Sequence, residues 1–269
     1  MTKVIGVIPA RMGSRRFPGK PLYPILNIPM IEHVFRRAKM YRHWNFFCLS
    51  TCDDEIRQYA ESISIRVIMT SARHQRALDR VAEAISLSEY DVEENDIVVN
   101  VQCDEPMMRP DMIDVAIKPI LDDPEVFGSV LALPIIQAEQ FNDPNTLKIV
   151  HNLKGDILYT SRSPVPFCKE FTPNLGVHRI YGIFAFRWHF LKKFTQLDES
   201  PLELNEACDS NRLYDYGYTQ RIAKYPYVES FAVDVPEDIQ KVENAMINDP
   251  LYRIYSKKEE DSHEVLEYR

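Results

Sequence analysis

Glycine is scarce: the chain has eight in 269 residues, well below the average usage of about 7%. Three of them, Gly6, Gly13 and Gly19, fall in the first nineteen positions. Glycine concentrated in one segment of so sparing a chain points to backbone conformations or close approaches that a side chain would obstruct. An excess of basic charge is also missing. The formal net charge of −8 argues against nucleic acid or an anionic membrane surface as the main partner, because both reward net positive charge. Any anion-binding role must come from a local cluster of cations. No apolar run approaches the roughly 18 residues of a membrane span. The apolar start, Val4 to Ile8, is interrupted by Pro9 and closed by Arg11, unlike a secretory signal, so no membrane insertion and a cytoplasmic location are expected. The five cysteines, Cys48, Cys52, Cys103, Cys168 and Cys208, are odd in number and scattered. They read as reduced, buried thiols rather than disulfides or a zinc site.

What is present suits a soluble globular chain, with 45% hydrophobic and 27% charged residues. A short apolar run over 4–9, a basic loop, and helical spacing of Ile31, Val34, Phe35 and Ala38 give strand, loop and helix. Strands over 45–51 and 66–69 alternate with helices over 53–62 and 78–87, and 96–102 is the most strand-like stretch. Such alternation indicates βαβ units and a mainly parallel sheet covered on both faces. Beyond about residue 127 the pattern loosens. Strands are expected over 129–136, 146–150, 180–186, 221–223 and 228–233. Helices are expected over 190–194, 203–216 and 236–247. One domain over 1–250 follows, with a charged, mobile tail over 251–269.

Three segments carry chemistry. The loop Ile8-Pro9-Ala10-Arg11-Met12-Gly13-Ser14-Arg15-Arg16-Phe17-Pro18-Gly19-Lys20 follows a strand and precedes a helix, where backbone N–H groups and cations converge on a polyphosphate. It is neither a Walker A motif nor a dinucleotide GxGxxG, by its glycine spacing. Gly13 and Gly19 read as its hinges, and Gly6 as a close-packing position inside the first strand. The second segment, Val99-Asn-Val-Gln102-Cys103-Asp104-Glu105-Pro106, puts carboxylates at a strand end, where open α/β sheets bind ligands. Hard carboxylate oxygens suit Mg²⁺, and if the strand continues only Asp104 faces it. The third, Phe231-Ala-Val-Asp234-Val-Pro236, reads on its own as a strand ending in a helix N-cap. Beside Asp104, it offers a second carboxylate.

Together these segments resemble the 3-deoxy-manno-octulosonate (KDO) cytidylyltransferase family. The resemblance runs through Ile8-Pro-Ala-Arg11, Arg16-Phe-Pro-Gly-Lys20-Pro-Leu, Pro29-Met-Ile-Glu-His-Val34, Val99-Asn-Val-Gln-x-Asp104-Glu-Pro, Leu158-Tyr-x-Ser161-Arg162-x-x-x-Pro166, Ser200-Pro-Leu-Glu203 and Val233-Asp-x-Pro-Glu-Asp238. It implies a Rossmann-like nucleotidyltransferase fold, α/β with a mixed, mainly parallel sheet. It also implies a small β-rich acceptor and dimer region over about 127–227, Mg²⁺ dependence, a homodimer, and conversion of CTP and an acidic sugar to a CMP-sugar and pyrophosphate. In that likeness Arg11, Lys20 and Asp104 are catalytic, while Ala10, Arg11, Gly13, Arg15, Lys20, Arg80 and Gln102 bind nucleotide. Ser161, Arg162, Glu203 and Glu206 bind the acceptor, and Asp104 and Asp234 hold magnesium.

Departures from the family pattern bear on specificity. The family's His-x-Ser-Gly-Thr-x-Arg becomes His74-Gln75-Arg76-Ala77-Leu78-Asp79-Arg80, and Cys103 replaces a glycine. In the acceptor region Ile180 and Ser210 stand where the pattern has histidine and glutamine. A related but different acceptor is therefore expected, since unmatched buried polar groups are costly. The alternatives are transfer to another acidic or phosphonate acceptor, use of another nucleoside triphosphate, or a catalytically silent nucleotide-binding chain.

Overall fold

Val4–Pro9, buried at every position, forms β1 near the centre of a mixed, mainly parallel sheet. The computed structural model describes residues 2–256. After β1 come the hairpin strands β2 (Pro24–Ile25) and β3 (Ile28–Pro29), then α1 (Met30–Lys39), β4 (Phe46–Thr51), α2 (Asp54–Ser62), β5 (Val67–Met69), α3 (Ala77–Leu87) and β6 (Ile97–Val101). The second half adds α4 (Asp111–Asp122), β7 (Gly128–Pro134), α5 (Ala138–Asn142), β8 (Lys148–His151), β9 (Ile157–Ser161), β10 (His178–Arg187), α6 (Trp188–Phe194), α7 (Pro201–Glu206), α8 (Ser210–Asp215), β11 (Arg221–Lys224) and α9 (Asp238–Met246).

The sheet order is β11-β7-β10-β6-β1-β4-β5, with β8 and β9 joined through β10. β1 is parallel to both β4 and β6, whereas β10 runs antiparallel to β6 and β7. From β1 the chain moves outward to β4 and β5, then returns across β1 to β6. That reversal opens a crevice at the carboxyl ends of β1 and β6, the position where α/β sheets bind ligands. Helices cover both faces. Ile31, Val34 and Ala38 of α1 and Met112, Ile113 and Ile117 of α4 fill one core, and Leu78 and Val81 of α3 with Leu191 and Phe194 of α6 fill the other. Gly6 is forced by packing: a Cβ there would lie 2.7 Å from the rings of Trp44 and Phe47. No helix among the described residues is long and apolar enough to cross a membrane, and all five cysteines are free.

Several expectations need correction. The single helix over 203–216 is two, because Ser200 and Glu203 form a capping box that starts α7 at Pro201 and Ala207 ends it in the left-handed conformation. Residues 228–233 pair with no strand; Val233 N–H donates instead to the Asp104 carbonyl. Four features were not anticipated: the β2–β3 hairpin, turned on Leu26 and Asn27 at positive φ; β9; the short α5; and α4, whose internal Pro119 obscures its periodicity.

The tail expected from residue 251 is also corrected in part, because residues 250–256 are helical; residues 257–269 lie outside the described residues. Tyr255 is 3% exposed and sits against α1. His33 Nε2 donates to the Ile25 carbonyl, so its Nδ1 accepts from the Tyr255 hydroxyl at 2.7 Å. Arg37, fully buried, donates to the same hydroxyl and pairs with Asp249. Burial lowers the His33 pKa to about 4, and His178 is lowered to about 4 for the same reason. Between pH 6.5 and 4 the unfolded chain therefore binds more protons than the folded one, and stability falls as pH falls through that window. Urea unfolding across it should show a slope that His33→Gln reduces by about one proton's worth, ~1.4 kcal/mol per pH unit. Equal slopes would place the linked proton on another group.

Candidate active site

The loop after β1 is held at both ends by backbone bonds and turned by one glycine. Ala10 N–H donates to the Ser50 carbonyl on β4, and Met12 N–H to Asp53 Oδ2 at 2.8 Å. Gly19, at φ +76°, closes the loop onto the Met12 carbonyl. Gly13 has no such constraint: it is not at positive φ, and a Cβ there meets nothing within 4 Å. The hinge role expected of the two glycines thus falls to Gly19 alone.

The loop's cations divide into two kinds. Arg11 and Arg15 are exposed and make no ion pair among the described residues. Lys20, 8% exposed, donates to Asp104 Oδ2 at 2.9 Å and to the Val233 carbonyl at 2.7 Å. Burial is the largest influence and works against its charge, but Asp104, Cys103 and Asp234 together outweigh it and the net direction is upward. Arg16 forks between Asn145 Oδ1 and Asp234 Oδ1, both at 2.6 Å.

β6 ends at Val101, and the segment beyond it turns. Asp104 remains partly exposed to the crevice. Glu105 instead enters the interior, where Oε1 accepts from Gly182 N–H at 3.0 Å and burial raises its pKa to about 7. The opposite aim of the two carboxylates comes from this turn, not from continued strand alternation. Cys103 lies beside them with its thiol pushed up to about 12, first by burial and then by Asp104. Asp234 is raised by burial and by the charge of Asp104, so the two carboxylates feel each other. Their hard oxygens fit a magnesium ion, and no group of three or more His, Cys, Asp or Glu side chains among the described residues could hold a metal. Two carboxylates, with water and phosphate oxygens for the rest, are the donor set magnesium commonly takes.

A cleft of about 720 Å³ opens over these groups. Ala10, Arg11, Arg15, Lys20, Arg80, Gln102 and Asp104 line it, together with Arg16, Arg76 and Asp209. Arg80 NH1 donates to Thr70 Oγ1, and its NH2 is buried without a partner. Gly13, Asp234, Ser161, Arg162, Glu203 and Glu206 do not line the cleft. Glu206 caps β9, accepting from Ser161 Oγ at 2.8 Å and Arg162 N–H at 2.7 Å. The Arg162 guanidinium donates to the Glu206 and Pro144 carbonyls. Glu203 is fully buried and accepts a bidentate pair from Arg212 Nε and NH2, both at 2.7 Å, with Arg76 3.2 Å away.

Sequence reasoning gave no role to Arg16 or Asp209. Arg16 was hidden as the second of an arginine pair, and Asp209 accepts from Leu78 N–H across 131 positions, which no local pattern reveals.

A family model described as Cytidylyltransferase matches residues 5–225. The 3-deoxy-manno-octulosonate cytidylyltransferase of Solibacter usitatus (strain Ellin6076) is 37% identical over 240 residues, 89% of this chain and 93% of its own. That of Thermodesulfovibrio yellowstonii (strain ATCC 51303 / DSM 11347 / YP87) is 38% identical over 250 residues, covering 90% and 97%. A solved CMP:2-keto-3-deoxy-manno-octonic acid synthetase complexed with CTP is 33% identical, with a TM-score of 0.79 over 91% of this chain and 99% of its own.

Removing Glu203 takes away the bidentate partner of the buried Arg212 charge. Glu203→Ala should cost about 3–5 kcal/mol in urea unfolding; a loss under ~1 kcal/mol would mean that Asp79, 3.4 Å from Arg212, suffices.

Proposed function

The chain belongs to the cytidylyltransferase family, and from that premise we propose that it couples CTP to KDO or a closely related acidic sugar, releasing pyrophosphate. The observation that carries this reading is the pairing of two uncommitted arginines with the Lys20–Asp104 contact in one cleft. Arg11 and Arg15 bind the triphosphate, and Lys20 neutralises charge on the departing pyrophosphate. Asp104 and Asp234 hold Mg²⁺, which supplies positive charge at the phosphate when bound. The acceptor hydroxyl forms a bond to the α-phosphorus as the bond to pyrophosphate breaks on the opposite side. Little covalent work falls to the protein, so positioning and electrostatics supply the rate.

Arg80, with one nitrogen buried and unsatisfied, and Gln102 lie on the nucleotide side of the cleft. Ser161, Arg162, Glu203 and Glu206 organise the acceptor side, through the strand end and helix pair they tie together rather than by facing the cleft. The homodimer is part of the same reading and is supported by the exposed Leu153, Leu158 and Phe167 within 127–227. A second reading keeps the reaction but changes the acceptor. It is favoured by Ile180, whose backbone is fixed by the Leu147 carbonyl and whose side chain offers no hydrogen bond. The silent alternative is disfavoured by Lys20, whose buried charge is costly to keep for structure alone.

A screen of four nucleoside triphosphates against acidic sugars and phosphonates, with magnesium and pyrophosphate as the readout, tests this directly. Release with CTP and an acidic sugar is expected, and silence with every combination would sink the enzymatic reading. Asp104→Asn should lower turnover at least about a hundredfold, with circular dichroism showing a folded chain whose unfolding midpoint falls because the buried Lys20 loses its counter-ion. Near-normal turnover would remove Asp104 from the metal site.

A further inference from the structure

Asp104 and Asp234 are each paired with a cation of the chain itself. Lys20 Nζ is 2.9 Å from Asp104 Oδ2, and Arg16 NH2 is 2.6 Å from Asp234 Oδ1. Each of these carboxylates therefore has a cation in contact before any metal or nucleotide arrives. A divalent ion added here would meet both cations at close range, and each opposes it.

The two pairs are built differently. The Lys20 side chain is 10% exposed and also fixed by the Val233 carbonyl, so it is part of the wall. The Arg16 side chain is 47% exposed at the rim of the cleft. An exposed pair is held weakly, because water screens it and two long side chains lose freedom in forming it. Arg16 also lines the same cleft as Arg11 and Lys20. A planar fork that now spans Asp234 and Asn145 is equally suited to phosphate oxygens.

We propose that Arg16 is a positioning residue, the exchangeable counter-ion of Asp234, which keeps divalent metal off that carboxylate until a nucleoside triphosphate draws its guanidinium away. Metal and nucleotide then enter together, and the cleft does not hold a divalent ion by itself. The inference rests on the reading of Asp104 and Asp234 as the magnesium carboxylates, and it concerns this chain's own cations rather than the acceptor.

The test is a titration of Mn²⁺ into the nucleotide-free protein, with free ion measured by electron paramagnetic resonance. Arg16→Gln should bind Mn²⁺ about tenfold tighter than the parent chain, or more. Arg16→Lys, which keeps a charge without the fork, should fall between them. Circular dichroism and the unfolding midpoint report whether each variant is folded. Equal affinities for the parent and Arg16→Gln, including no measurable binding by either, would overturn the proposal. Adding Asp234→Asn to Arg16→Gln should abolish the gain; a gain that persists would put the ion elsewhere and also overturn it. Pyrophosphate release separates the two readings. A chain that releases it from CTP while showing equal Mn²⁺ affinities keeps its function and loses this inference. One that shows the affinity gain but never releases pyrophosphate keeps the counter-ion exchange and loses the function.

Discussion

One buried ammonium ties the site to the fold. Lys20 joins three stretches that are far apart in sequence: the loop after β1, the end of β6 through Asp104, and the segment before α9 through the Val233 carbonyl. Val233 N–H returns the contact to the Asp104 carbonyl, so the two segments are stitched on both sides of the lysine. Burying a lysine costs several kcal/mol. At an effective dielectric near 20 an opposite charge about 4 Å away offsets that by about 4 kcal/mol, the size of effect needed for Lys20 to stay charged. Gly19 makes the arrangement possible, since its left-handed backbone turns the chain inward just before Lys20.

The arginines sort by what they are committed to. Arg37 and Arg212 are buried and serve as interior counter-ions, the first anchoring residues 249–255 on α1 and the second joining α8 to α7. Arg162 is spent on backbone carbonyls. Only Arg11 and Arg15, of the basic loop, face solvent without an ion pair among the described residues. A chain with a net charge of −8 thus presents a cleft whose lining holds more cations than acids. The loop over 143–146 links two of these groups. Asn145 receives Arg16, Pro144 receives Arg162, and Lys148 fixes the loop through the Asp143 and Thr146 carbonyls. The rim of the cleft and the end of β9 are thus joined through four residues.

Much of this was legible in the sequence, for a physical reason: strands buried on both faces and amphipathic helices announce themselves locally. The limits of β1 and β4 lie within a residue of those read from apolar spacing. Legibility failed where geometry depends on distant partners. Residues 228–233 alternate like a strand, but their backbone is claimed by Asp104 and by Arg179, which donates to the Ser230 carbonyl. The division of 203–216 into two helices depends on Ala207 adopting an unfavourable conformation that Glu203 and Arg212 stabilise across the break. Among the site residues, Lys20 and Asp104 meet as a collinear motif suggests. Glu203 and Glu206 have motif-like positions whose side chains serve the scaffold. A motif marks which positions matter and leaves open whether they matter by touching a ligand or by holding the wall.

The altered segment from His74 to Arg80 illustrates the difference. Leu78 is 1% exposed and packs in the core of the α3 face, so the change from a hydroxyl to an apolar side chain is absorbed by burial. What that position offers its surroundings is its backbone N–H, taken by Asp209. Arg76, two residues earlier, brings a positive charge within 3.2 Å of Glu203 and 3.9 Å of Asp209. Three acids, Asp79, Glu203 and Asp209, would otherwise face Arg212 alone where α3 meets α7 and α8. The substitutions compensate one another as a group: a lost hydroxyl becomes core packing, and an added cation balances carboxylates supplied by the opposite helices. A segment decaying after loss of catalysis has no reason to keep that balance. Its persistence beside an intact Lys20–Asp104 contact indicates a wall rebuilt for a working cleft.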